Sequence, residues 1–153
     1  MALVTEDGTG LADAESFASV ATADTYFGDR GVAAWASLDV AAQEAALRLG
    51  TDYMEAQYGL LWAGERKTTT QALSWPRVGW TGVPEAVQRA CCELAIRASA
   101  GPLLVDQGPQ VEKETVGPIS VTYATGARQE TYYGYVWKLL APFLVHGLPV
   151  LRA

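Results

Sequence analysis

The chain predicts a mainly α fold: a small helical bundle of about four helices with one β-hairpin and extended termini. Three observations carry that expectation. Two stretches, 42–56 and 87–98, repeat apolar or small residues at helical spacing. Residues 119–123 switch to alternation, Ile119, Val121 and Tyr123 being separated by Ser120 and Thr122. Finally, 153 residues, 50% hydrophobic with five Trp and seven Tyr, are enough for a single core without disulfide or metal staples.

The elements follow in order. Ala2 to Val4 reads as a short strand, closed by a turn at Asp7-Gly8-Thr9-Gly10. Ser19 is the expected N-cap of a helix running through Asp29, with Gly31 closing it. Ser37 is expected to cap a second, longer helix with Asp39 in its first turn. Its stripe is Ala42, Ala46, Leu49, Tyr53 and Ala56. Residues 59–82 keep no period and form a long loop, pinned by Trp62, Trp75 and Trp80.

A third helix opens at Val83-Pro84-Glu85, where Pro suits the first turn and Glu complements the helix dipole. Its apolar face is Val87, Ala90, Cys91, Leu94, Ala95 and Ala98, and Gly101-Pro102 stops it. A hairpin follows at about 111–123, turning at Gly117-Pro118, and then a helix over roughly 131–140. The domain is thus expected to span 1–142, with 143–153 as an extended, apolar C-terminal tail. The expected core is Trp35, Leu49, Tyr53, Trp75, Pro76, Val87, Cys91, Leu94 and Trp137.

Composition excludes several function classes. The net charge is −6, without the basic footprint of a protein that grips nucleic acid. Charge is uneven: residues 1–29 hold six acids and no Lys or Arg, whereas 66–97 hold five bases against two acids. That asymmetry offers like subunits an acid-to-base contact, for which Arg77 and Arg89 are the candidate bases. Cys91 and Cys92 are adjacent, about 100° apart on a helix, and too few for a zinc site. They read as small apolar core residues. No stretch reaches the roughly 20 apolar residues of a membrane span, and the acidic N-terminus is unlike a signal peptide.

Catalytic patterns are missing from the sequence. Gly59 and Gly64 stand as in a phosphate-binding loop, but Glu65 occupies the place of its Lys and Lys67 comes two residues late. His146 is the only histidine, with no recognisable nucleophile or orienting acid around it. Glu44, Glu55 and Glu93 are spaced as solvated helix charges. No metal, cofactor or enzymatic activity is expected. The aromatic loop with its nearby bases also fits a platform for stacking single-stranded bases.

Five segments occur in one order: EDGTG…ESFASVATADTYF, a helix ending TDYMEAQYG, the loop ALSWPR, the helix VPEAVQRACCELA and the hairpin VEKETVGPISVTYA. From Ala2 to about Phe143 this order resembles the small head–tail connector (adaptor) proteins of tailed phages and prophages. Some members carry the label "putative DnaT-like single-stranded DNA-binding protein". The ALSWPR loop and the VGPISVTY turn are its most specific parts.

The resemblance implies a structural virion protein at the neck, assembled in the host cytoplasm. It forms a homo-oligomeric ring, typically of about twelve copies, under the portal protein. A head-completion or tail protein joins its far side, and DNA passes through the channel as cargo. Phe143, Leu148, Pro149, Val150, Leu151 and Arg152 would then dock on the portal or an adjacent subunit. The label implies the competing expectation, a single-stranded DNA-binding accessory protein of replication.

Overall fold

The computed structural model describes residues 2–107, 113–122 and 130–145. In order it contains α1 (Val20–Gly28), α2 (Ala33–Ala36), α3 (Val40–Tyr58), α4 (Glu85–Ala98), β1 (Lys113–Val116), β2 (Ile119–Thr122) and α5 (Gly134–Leu140). A 3-10 turn over Ala141–Phe143 extends α5. The fold class is the expected one, a mainly helical bundle with one hairpin.

Helix α1 starts where the Ser19 hydroxyl accepts the Thr22 amide at 3.1 Å, meeting one of the donors a helix start leaves unpaired. Its buried Phe27 lies 5.1 Å, ring to ring, from Trp35 on α2. Asp24 then ties three helices together. Its carboxylate accepts from Trp35 Nε1 at 2.8 Å and from Gln43 Nε2 of α3 at 3.3 Å.

The start of α3 differs from expectation. Asp39 is the cap, its carboxylate accepting the Ala42 amide at 2.8 Å. Ser37 ends the one-turn α2 instead. Two good capping residues stand close together, and the burial of Trp35 on α2 decides between them.

Helices α3 and α4 form the central pair, with α5 and α1 against α4. Helix α3 buries Gln43, Ala46, Leu47, Gly50, Thr51, Tyr53, Met54 and Tyr58, so the expected stripe is rotated. A β-carbon on Gly50 would lie 2.9 Å from the Cys91 carbonyl oxygen and 3.1 Å from the Ala95 amide nitrogen. The helices therefore meet backbone to backbone at Gly50, and Leu49, about 100° around the helix, is turned out. It is 52% exposed, which removes it from the core.

Trp137 is also corrected. Helix α5 buries Val136 and Leu140 on its inner face, leaving the neighbouring Trp137 44% exposed. Trp35, Tyr53, Trp75, Pro76, Val87, Cys91 and Leu94 are buried.

No strand forms at Ala2 to Val4. Thr5 makes an isolated bridge with Ser16, and the Glu6 carboxylate fills the following turn. It accepts the amides of Gly8, Gly10 and Leu11 at 2.8–2.9 Å. The hairpin pairs Lys113 with Thr122 and Val116 with Ile119, turning through Gly117 at φ +59°. Its aliphatic residues Val116, Ile119 and Val121 are exposed.

Candidate functional site

Residues 59–82 are ordered by side chains that supply the hydrogen bonds a regular element would have provided. Across the loop's neck Arg66 bridges Arg77; the Lys67 amide donates to the Pro76 carbonyl at 3.1 Å and the Val78 amide to that of Glu65 at 2.9 Å. Gln71 crosses the interior, its Nε2 donating to Leu73 O at 2.8 Å and Pro76 O at 3.0 Å. From α3, the Glu55 carboxylate accepts the Ser74 amide at 2.9 Å and its hydroxyl at 2.7 Å. Glu55 therefore clamps the loop and is not a solvated-face charge. The Trp75–Pro76 peptide bond is cis.

The tryptophans complete the clamp. Trp62 and Trp80 both meet Trp75 edge to face, at 5.7 and 5.6 Å. Phe143 packs against Trp75 at 5.8 Å and Trp80 at 5.2 Å. The chain after α5 is stitched to the same loop: Ala63 N donates to Phe143 O at 2.9 Å and Val145 N to Leu61 O at 2.8 Å. Phe143 and Leu144 thus belong to the folded body, not to a separate tail beginning at 143. Leu148, Pro149, Val150, Leu151, Arg152 and His146 lie outside the described residues.

Arg77 is buried, which corrects its assignment to an inter-subunit contact. Its Nε donates to Ala63 O at 2.8 Å, Nη1 to Ser74 O at 3.0 Å, and Nη2 to Trp62 O at 3.3 Å and also to Gly64 O. Burial first, then the like charge of Arg66, lower its pKa, against an opposing pull from Glu55. Sequence alone left Arg77 as a surface base, because the four carbonyls are assembled only by the folded loop. Arg89 is exposed and pairs with Glu85 one turn before it on α4.

The other bases are similarly engaged. Arg48 meets Glu15 at 2.9 Å, Arg97 meets Glu93 at 2.6 Å, and Arg30 lies 3.8 Å over the Tyr26 ring. Arg66 donates to the carbonyls of Gln71 and Leu73, and Lys67 to that of Gly8. Lys113 and Lys138 are what remains among the described bases.

The buried cluster of Ser16, Thr51 and Cys91 is unsuited to nucleophilic chemistry. Thr51 Oγ1 and Ser16 Oγ lie 3.3 and 3.8 Å from Cys91 Sγ, and all three residues are buried. Burial pushes the Cys91 thiol up, away from the reactive thiolate, and no base adjoins it. Both cysteines are free. Among the described residues no group of His, Cys, Asp and Glu is placed to hold a metal. No described helix is long and apolar enough to cross a membrane.

Several surface depressions lie among the described residues, one of about 420 Å³ beside Trp35 and Gln43. A polar groove of about 760 Å³ between α1 and α4 is lined by Tyr26, Arg30, Glu85, Arg89 and Cys92. A smaller, more apolar groove of about 320 Å³ runs between α3 and residues 101–104.

Fold and site together define a small, mainly helical domain with one hairpin, whose long loop is clamped by its own side chains. Over residues 1–152 the chain matches the family described as "Putative DnaT-like ssDNA binding protein", and it belongs to that family. No curated protein and no solved structure matches it.

Proposed function

We propose that the protein is a head–tail connector (adaptor) of a tailed phage or prophage. In this reading it forms a ring under the portal, joins the DNA-filled head to the tail, and lets DNA pass through its channel. The observation that carries the reading is the exposed hairpin, on which Val116 and Ile119 are 68% and 67% accessible. Two strands alone are marginally stable in water, and exposed aliphatic residues of this kind favour burial against a neighbour. Tyr132, Tyr135 and Trp137 add exposed aromatic surface before and on α5, of the residue types enriched at interfaces. An acidic subunit repeated around a channel also gives DNA little to adhere to, because counterion release needs Lys and Arg.

The family description favours a second reading, binding of single-stranded DNA. The internal engagement of Arg48, Arg66, Lys67, Arg77 and Arg97 weighs against it, since those groups are already held by carbonyls and carboxylates.

Two measurements separate the readings. Mixing the protein with purified portal should give a complex of ring-like mass in native mass spectrometry. Titration with a labelled oligonucleotide at physiological salt should give binding no tighter than about 1 μM, the non-specific range. Tight binding with a steep salt slope, and no portal complex, would overturn the connector reading.

A further inference from the structure

The apolar stripe that periodicity marks on α3 does not lie wholly in the core. Leu49, Tyr53 and Ala56 form one wall of the groove beside α3, and Leu103 and Leu104 form the other. Leu49 and Leu104 are both about half exposed there. Asp52 stands on the same helix face, three residues after Leu49 and four before Ala56. It is the groove's one carboxylate and makes no ion pair among the described residues.

Tyr133 joins the groove to α5. Its hydroxyl donates to Leu103 O at 3.3 Å, and its ring meets Tyr53 edge to face at 5.3 Å. One turn further along α5 the Trp137 amide donates to the Tyr133 carbonyl at 3.0 Å, so Trp137 lies on Tyr133's side of the helix. Its indole is 44% exposed. Lys138 follows about 100° around the helix, exposed and without an ion pair among the described residues. Within one copy Trp137 does not line the groove and Lys138 reaches no described carboxylate.

We propose that the partner of this face is a second copy of the chain, each copy seating Trp137 in the other's groove with Lys138 against the other's Asp52. The first argument is complementarity. The groove offers apolar side chains around an unpaired acid, and α5 offers an aromatic ring beside an unpaired base. The acid sits within the apolar wall and the base adjoins the ring in sequence, so the ion pair and the apolar contact form side by side. The second argument is placement. Ridge and groove adjoin on one face through Tyr133, and a single two-fold rotation then makes both contacts at once, closing the pair. On opposite sides of the molecule they would chain copies head to tail instead. Few side chains take part, which puts the contact in the small, transient class below about 1,200 Å². The dimer should accordingly be weak, with a Kd on the order of 10–100 μM.

The inference concerns the protein by itself, and portal has no part in its test, so its outcome is separate from that of the connector reading. Sedimentation velocity would follow the full-length chain from low micromolar to near-millimolar concentration. The samples are wild type, Trp137→Ala, Lys138→Glu, Asp52→Lys and the double variant Asp52→Lys with Lys138→Glu. All three positions are exposed, and a circular-dichroism melt checks that each variant folds. Wild type should pass from monomer to dimer, Trp137→Ala should weaken the association at least tenfold, and each charge reversal should weaken it as well. The double variant should restore it. A wild type that stays monomeric throughout would overturn the proposal, as would a dimer indifferent to Trp137→Ala. Species that keep growing beyond the dimer would overturn the two-fold closure, and a double variant no better than the single reversals would overturn the Asp52–Lys138 pairing.

Discussion

At the scale of single residues, Arg77 and Arg89 show how little sequence separates a structural from a superficial base. Both follow the aromatic loop's first tryptophans, yet Arg77 holds four carbonyls inside the loop and Arg89 one exposed carboxylate. Arg77→Ala should cost about 2–3 kcal/mol, because buried acceptors lose a charged donor. Arg89→Ala should cost about 0.3–0.5 kcal/mol, the value of an exposed helix pair. Urea unfolding compares the two; equal losses would mean that Arg77's contacts are not made in solution. Gly50 belongs here too, since its missing side chain is what lets α3 and α4 touch. Gly50→Ala should destabilise by about 1–3 kcal/mol through overpacking, read as a lowered Tm. An unchanged Tm would mean the helices lie farther apart.

Tyr58 supplies a pH dependence. Burial, reinforced by Tyr53 and Tyr132, pushes its phenol up to about 12, against roughly 10 in an unfolded chain. The folded state thus favours the neutral phenol. The stability this contributes is complete below about pH 10 and is lost as pH rises towards about 12. Tyr58→Phe removes the titrating group and should move the alkaline unfolding midpoint upward, as followed by circular dichroism. A midpoint unmoved by the substitution would show that other phenols or thiols govern the alkaline limb.

At the scale of elements, the hairpin and α5 stand apart from the α3–α4 pair. The central helices bury nearly continuous faces, whereas the hairpin exposes Val116, Ile119 and Val121, and α5 exposes Tyr135 and Trp137. Ile119→Asp with Val121→Asp should therefore change monomer stability by no more than about 0.5 kcal/mol, as expected of surface positions. On the proposed connector reading, the same pair should abolish assembly with portal in sedimentation. A large loss of Tm in the isolated subunit would instead assign the hairpin to the core.

The elements also show what periodicity carries. Helix α4 was legible because its apolar positions, its proline start and its dipole-matched ends all agree. Helix α3 was legible as a helix but not in its orientation. Its buried face includes Gln43, Gly50 and Thr51, which no hydrophobicity pattern selects, while Leu49 fits the pattern and faces out.

At the scale of the whole molecule, charge and surface govern what the protein binds. With most described bases held internally, the salt slope for single-stranded DNA should be shallow, since its magnitude is about 0.7 per neutralised phosphate. A slope near −1 or smaller in magnitude agrees with contacts limited to groups such as Lys113 and Lys138. A slope several times larger would require that internal pairs such as Arg48–Glu15 open on binding.

The sequence by itself determined the four longer helices, the hairpin and the lack of a recognisable catalytic motif, because these rest on local spacing and residue chemistry; it did not determine the one-turn α2. It also determined that the loop around Trp75 is pinned by its own aromatics. Only the tertiary structure decided which face of α3 is inside, that Arg77, Glu55 and Gln71 are the loop's internal scaffold, and that Phe143 closes it. Those outcomes depend on groups brought together from distant parts of the chain: a glycine against a facing backbone, and a guanidinium among carbonyls that only the folded loop gathers. Local pattern specifies which elements form, and contacts between them specify what each residue does.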